Sequence, residues 1–216
     1  MKRIYFTIVL VLMFVAVSAQ QDEKAKNILD QVSQKTSSFQ SIQADFSFIM
    51  KNTELGINEK NDGNIILKGK KYCIDLPDVG IKIFSNEKTL WNYMKTGNQV
   101  TITNIGDNGE DLMDPASLFN IYEKGFNSKF VKDSTVAGKA VHIIELLPDN
   151  NAMDVSKVSV SIDKNTMMVQ SASLYGTDGN QYIIEIKNMV TNKTFPDSDF
   201  VFDAGKFPDV EVIDLR

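Results

Sequence analysis

Cysteine and histidine are nearly missing: a chain of 216 residues has one of each, Cys73 and His142. A single thiol closes no intramolecular disulfide, and a single imidazole leaves little for a His-based metal site or a His-activated nucleophile. Basic charge is also short. There are 23 Lys and Arg against 28 Asp and Glu, a formal charge of −5. That argues against sequence-independent nucleic-acid binding, which needs a basic face for phosphates. No proline- or serine-rich linker, internal repeat or low-complexity tract divides the chain, so it reads as one domain. What is present is ordinary for a globular protein, 43% hydrophobic and 24% charged residues. That composition excludes a disordered chain and a bundle of membrane spans.

The one long apolar run stands at the start. Lys2 and Arg3 precede the run Ile4–Val17, and Val17-Ser18-Ala19 fits the −3 and −1 positions of a signal-peptidase site. The run is short of the ~20 residues that a spanning helix needs. The expectation is an exported protein with residues 1–19 as a cleaved signal peptide and one domain over residues 20–216. Residues 1–19 hold two bases and no acid, so cleavage moves the formal charge from −5 to −7. The residue directly after the cleavage site is Gln20 and not a cysteine, so the chain is not expected to be lipidated itself. Without disulfides, an exported domain must be held by its core.

Asp22–Ser38 reads as a helix, because Ala25, Ile28, Leu29, Val32 and Thr36 form one stripe at helical spacing. The period then changes to two. Ile42, Ala44, Phe46, Phe48 and Met50 alternate with polar residues, the pattern of a half-buried strand. Further strands are predicted at Asn64–Lys68, Lys71–Leu76, Gly80–Ser85, Thr89–Tyr93 and Gln99–Thr103, separated by turn residues such as Asp62-Gly63 and Gly97-Asn98. The pattern breaks at an acidic, Gly- and Asn-containing stretch, Ile105–Asp114. Asp114-Pro115 then opens a short apolar helix as N-cap and N1. Strands resume at Phe126–Lys132, Ala140–Leu147, Val155–Ile162, Met167–Tyr175 and Gln181–Met189, with a last one at Phe200–Phe202. Thr177-Asp178-Gly179-Asn180 is a hairpin turn. About 10–11 short strands with few helices predict a mainly β fold: one antiparallel barrel or strongly bent sheet.

The order of elements resembles the periplasmic outer-membrane lipoprotein carrier family, LolA, over most of residues 20–216. The helix-to-strand junction is Ser38-Phe39-Gln40-Ser41-Ile42-Gln43-Ala44-Asp45-Phe46. The next hairpin is Gly63–Lys68 with Lys71–Ile74. Ile83-Phe84-Ser85-Asn86-Glu87-Lys88-Thr89-Leu90-Trp91-Asn92-Tyr93, with Gln99-Val100, is the most diagnostic stretch. Phe200-Val201-Phe202 and Val212–Arg216 resemble the family's end. The resemblance implies an unclosed antiparallel barrel with an N-terminal helix and a short inserted helix as a lid. It also implies a monomeric periplasmic carrier that binds the acyl chains of lipoproteins, loaded by an inner-membrane lipoprotein-releasing transporter and emptied by an outer-membrane acceptor. No enzyme activity, cofactor, metal or nucleic-acid partner is implied. Two places depart from the family pattern. Gly69-Lys70 stands where the family often has Arg-Pro, whose Arg is thought to help hold the lid closed. Asn86-Glu87 stands for its Asp-Gly turn. Lys70 or Lys71 could replace the Arg only in part, because lysine lacks the planar fork.

The expected acyl-chain cavity is lined by Phe46, Phe48 and Met50 of the first strand, with Ile65, Leu67, Tyr72, Ile74, Trp91 and Tyr93. Leu118, Phe119 and Tyr122 join them from the inserted helix. Aromatic and methionine side chains suit such a site because they offer contact area without fixed polar partners. The inserted segment Asp114–Lys124 is the expected lid, with Gly106, Gly109 and Gly125 as hinges. Asp107, Glu110, Asp111 and Asp114 read as a solvated loop or a docking surface for a basic partner. Two alternatives use the same chain: a lipid- or lipoprotein-sensing regulatory module on this scaffold, and a lipid- or glycan-active hydrolase. The hydrolase would depend on His142, whose expected role is structural. It lacks the Gly-x-Ser-x-Gly elbow. Cys73 alternates with Tyr72 and Ile74 and is expected to be inert.

Overall fold

The computed structural model describes residues 22–105, 125–149 and 154–216. One helix, α1 (residues 22–37), precedes twelve strands. These are β1 (Ile42–Asn52), β2 (Ile57–Lys68), β3 (Lys71–Leu76), β4 (Ile81–Ser85), β5 (Thr89–Met94) and β6 (Gln99–Asn104). Then follow β7 (Phe126–Val136), β8 (Lys139–Pro148), β9 (Val155–Asp163), β10 (Val169–Gly176), β11 (Gln181–Thr191) and β12 (Glu211–Asp214). All twelve join one sheet, in the order β12-β6-β5-β4-β3-β2-β1-β11-β10-β9-β8-β7. The sheet does not close: β12 and β7 are its two ends. Every pairing is antiparallel except β12 on β6, which is parallel. The fold is thus mainly β in one antiparallel sheet, as the pattern predicts, and unclosed, as the resemblance implies. The predicted signal peptide and the lid segment Asp114–Lys124, with Leu118, Phe119 and Tyr122, lie outside the described residues.

The helical stripe does what its spacing implies. Ala25, Ile28, Leu29 and Val32 are buried against one face of the sheet, here called the inner face. They meet Ile42, Ala44 and Phe46 of β1, Ile65 and Ile74, and the valines and isoleucines of β8–β11. Gly63 is required where it stands. It pairs with Phe46 across β1–β2. A Cβ there would lie 2.7 Å from the Asp75 carbonyl oxygen, 2.8 Å from Leu76 Cδ2 and 2.9 Å from Phe46 Cζ. The Asp62-Gly63 dipeptide is therefore not a turn. It sits inside the long strand β2, whose glycine admits the Phe46 ring.

One expected strand is corrected. Phe200–Phe202 pairs with no strand among the described residues; Asp197–Phe200 is a 3₁₀ turn and the last strand is Glu211–Asp214. The error has a physical cause. Phe200 and Phe202 are buried and Val201 between them is not, so the period-two signature is real. It arises because the chain crosses the outer face of the sheet, rather than lining up along an edge. There a second core forms from Cys73, Phe84, Val100, Phe200 and Phe202, with Ile66, Trp91, Tyr93, Phe195, Phe207 and Val210 packed on it.

The crossing segment is tethered by charge. Lys68 and Lys71 Nζ donate to the two oxygens of Asp197 at 2.9 and 2.8 Å, and Lys68 also donates to the Phe195 carbonyl at 2.9 Å. These lysines, Lys71 first, hold the Asp197 carboxyl down to about 2. Because the folded value lies below the ordinary carboxylate range, the stabilisation is present above about pH 4 and is lost as pH falls through 2. Asp197→Asn should therefore flatten the acid limb of the stability curve between about pH 4 and 2. Urea midpoints measured across that window check it, and an unchanged slope counts against the tether.

Candidate functional site

Cross-strand pairing decides which side chains share a face. Ile65 pairs with Ile74, Ile74 with Ile83, Ile83 with Asn92 and Asn92 with Thr101. A parallel row runs Leu67–Tyr72–Ser85–Leu90–Thr103, and another runs Leu76–Ile81–Met94–Gln99. All three rows are on the inner face. The core under α1 fills only part of that face. No apolar inner-face side chain of β4, β5 or β6 is buried: Ile81, Ile83 and Leu90 are half-buried and Met94 is 42% exposed. Leu67, Tyr72, Leu76, Ile83 and, across β1, Phe48, Tyr182 and Ile184 pack against the edge of the core while keeping exposed surface. The result is an apolar trough that continues the core without being closed by it.

Charge is kept off the β3–β6 part of this trough; inner-face carboxylates stand at its ends, Glu59 opposite Met50 and Glu211 opposite Gln99. Strands β3–β6 carry three charged residues, Lys71, Asp75 and Lys82, and register puts all three on the outer face. Lys82 and Asp75 pair there at 3.1 Å. An apolar, uncharged surface of this kind suits hydrocarbon and repels ions and phosphates.

The expected cavity residues divide into four groups. Phe46, Ile65 and Ile74 are on the inner face but are 1%, 1% and 0% exposed, inside the core. Phe48, Met50, Leu67 and Tyr72 are half-buried on the same face, and Phe48 stacks on Tyr182 with ring centroids 6.2 Å apart. Trp91 and Tyr93 are on the outer face, packed on the second core; the Tyr93 ring lies 4.5 Å from Phe207 and 5.7 Å from Phe202. Leu118, Phe119 and Tyr122 lie outside the described residues. Sequence reasoning left out Leu76, Ile81, Leu90 and Met94. Period two counted onward from Ile74 and back from Ile83 reaches Leu76 and Ile81. Leu90 and Met94 were masked by the louder Trp91 and Tyr93.

The lysines near Gly69 do not point to this trough. Lys71 is bound to Asp197 on the outer face and Lys70 is exposed. Gly69 has φ +61, a left-handed conformation that an arginine would adopt only under strain. A separate cleft of about 900 Å³ opens between α1 and the β7–β8 end. Asp22, Glu23, Lys26, Asp30 and Lys129 wall it, so it does not suit hydrocarbon.

Reactive groups are tied up. His142 Nδ1 lies 2.6 Å from Asp133 Oδ1, and Lys164 Nζ is 3.0 Å from Asp133 Oδ2. Lys164 first, then His142, holds the Asp133 carboxyl below its ordinary value. The imidazole meets the Phe130 edge at 5.9 Å. Burial pushes the Cys73 thiol up to about 11, so it stays protonated and unreactive at neutral pH. Among the described residues no cluster of three His, Cys, Asp or Glu is placed to hold a metal.

A long open sheet wrapped about one helix, with an apolar trough beside it, defines a binding scaffold. The model of the outer membrane lipoprotein carrier protein LolA matches residues 37–203, and the chain belongs to the LolA family. The structure is similar to that of an uncharacterized conserved protein from Thermus thermophilus. The TM-score is 0.61 at 12% identity, covering 88% of this chain and 99% of that one. It is also similar to a DUF1329 family protein from Desulfovibrio piger, with a TM-score of 0.52 at 13% identity, covering 87% and 99% of the two chains. A LolA superfamily protein from Nitrosomonas europaea aligns with a TM-score of 0.42 at 12% identity, over 82% and 97%. Among curated proteins there is no significant match.

Proposed function

We propose that this protein is a periplasmic carrier which shields the acyl chains of lipoproteins and moves them from the inner to the outer membrane. It is exported by a cleaved signal peptide at residues 1–19 and works without a cofactor and without enzyme chemistry. The observation that carries this reading is the uncharged, largely apolar trough on the inner face of β3–β5, which continues the core in a member of the LolA family. Each acyl CH₂ withdrawn from water contributes roughly 0.8 kcal/mol. Several chains therefore cannot travel free, and a site that held them at full strength would not release them. A trough whose lining side chains stay half-buried meets both demands. An inner-membrane releasing transporter loads it, and a tighter outer-membrane acceptor empties it.

The test is uptake of a fluorescent diacyl lipopeptide by the delipidated protein. Phe48→Glu puts a carboxylate among apolar neighbours at the trough's edge, where it must be desolvated as the chains enter. Affinity should fall about 100-fold or more, while Phe48→Leu keeps it within a few-fold. Equal affinity for the wild type and Phe48→Glu would place the acyl chains elsewhere, and no uptake by the wild type would end the carrier reading.

A further inference from the structure

The half of the inner face that α1 does not cover is not apolar throughout. Its β3–β4 side is Tyr72, Leu76, Ile81 and Ile83, but its β5–β6 side carries Asn92, Thr101 and Thr103. Asn92 is directly opposite Thr101, and Thr103 is one pleat further along β6. Asn92 is exposed and both threonines are half-buried, and among the described residues none of the three side chains makes a hydrogen bond. A fourth polar group points the same way. Ser85 lies between Tyr72 and Leu90 in the row that ends at Thr103; it is fully buried, and its Oγ has no partner. The buried Ser85 hydroxyl costs stability without a partner, and Asn92, Thr101 and Thr103, which water can solvate, are available to hydrogen-bond a ligand beside the apolar trough.

The chemistry of the ligand follows from what these groups are. An asparagine amide and two threonine hydroxyls offer donors and acceptors but no charge. Every charged residue of β3–β6 is on the other face. A phosphate or carboxylate would be desolvated here with no cationic partner, and the nearest inner-face carboxylate, Glu211, already accepts from Gln99. An ester or amide carbonyl needs only a neutral donor.

We infer that Asn92, Thr101 and Thr103 form a ledge, with buried Ser85 in the same row as Thr103, that hydrogen-bonds the uncharged ester and amide carbonyls joining the acyl chains to the body of the cargo. This deepens the carrier reading and rests on it. The ledge sets the depth of binding: hydrocarbon lies along Leu76, Ile81 and Ile83, and the carbonyls stop at β5–β6. The ledge is also held rigid from behind. On the outer side of the same two strands, Trp91, Tyr93 and Val100 are packed against the crossing segment, and β12 pairs along β6 so that the ledge is not at the sheet's edge.

Two fluorescent lipopeptides of equal chain length test this, one with diacylglyceryl esters and one with the matching dialkyl ethers. The wild type should bind the ester probe about tenfold or more tightly than the ether probe. The combined Asn92→Ala, Thr101→Val and Thr103→Val variant should lose that preference and bind the ether probe as the wild type does. Thr101→Val alone, which keeps side-chain shape, should lose part of it, and serves if the combined variant does not fold. Equal binding of both probes by the wild type, or an unchanged preference in the variants, overturns the ledge while leaving the carrier reading intact. Failure of the wild type to bind either probe overturns both.

Discussion

Phe46→Ala is expected to destabilise the fold by about 3–5 kcal/mol, the range for removing a fully buried aromatic ring. Phe46 is 1% exposed and stands where β1 meets β2 and β11, opposite Gly63 on one side and Ile186 on the other. Its neighbours cannot close the gap cheaply. Gly63 has no side chain to move in, and the β1 register against β11 already shifts between Asp45 and Phe46. The loss is a large share of the ~5–15 kcal/mol that such a domain has in total. It should lower the thermal midpoint on the order of 10 °C. Filling the space from the glycine is not a remedy. In the Phe46→Ala background, Gly63→Ala would lose its clash with the ring but would still meet the Asp75 carbonyl oxygen at 2.7 Å. The double variant should therefore be less stable than Phe46→Ala alone, and urea denaturation of the three variants checks both claims. A loss under about 1 kcal/mol for Phe46→Ala would mean that the ring is not a keystone of this core.

Much of the fold is legible in the sequence because two periods rarely compete here. The α1 stripe is all apolar at 25, 28, 29 and 32, and β1 alternates cleanly from Ile42 to Phe48. Eleven strands follow from the same alternation and their turn residues. The last strand and the site were harder for one reason. Alternation says that two faces differ, but not what covers each. On β5, Leu90 and Met94 alternate with Trp91 and Tyr93, so either face can be read as the apolar one. The aromatic pair is the stronger signal, yet it faces outward. What covers it is a segment more than 100 residues later, around Phe202 and Phe207. No local pattern contains that contact. The same segment explains the misread strand, because Phe200 and Phe202 alternate against a sheet face rather than within a sheet. The ledge was invisible for the opposite reason: Asn92, Thr101 and Thr103 look like the polar half of an ordinary amphipathic strand. They become notable only when the register shows that they face inward, beside Ile83 and Leu90.

The outer core therefore bears on the inner site, and Phe200 tests the connection. Phe200 is 0% exposed and anchors the crossing segment against Cys73 and Phe84 on the back of β3 and β4. Phe200→Ala should cost about 3–5 kcal/mol. It should also free the segment locally, because its other ties include exposed ion pairs, which are worth little each. Cys73 reports on this directly. Its thiol is buried and pushed up to about 11 in the intact fold, so modification by a disulfide reagent at about pH 8 should be slow. With the anchor gone the thiol meets water, its pKa returns toward about 8.5, and more of it is thiolate. Labelling should then be at least about tenfold faster than in the wild type. Global unfolding alone would accelerate labelling only in step with the unfolded fraction, which urea titration of the same variant supplies. Labelling faster than that fraction shows local release of the segment from β3 and β4. Labelling that matches it shows that the outer core and the sheet come apart only together, so that the back of the ledge is as stable as the fold itself.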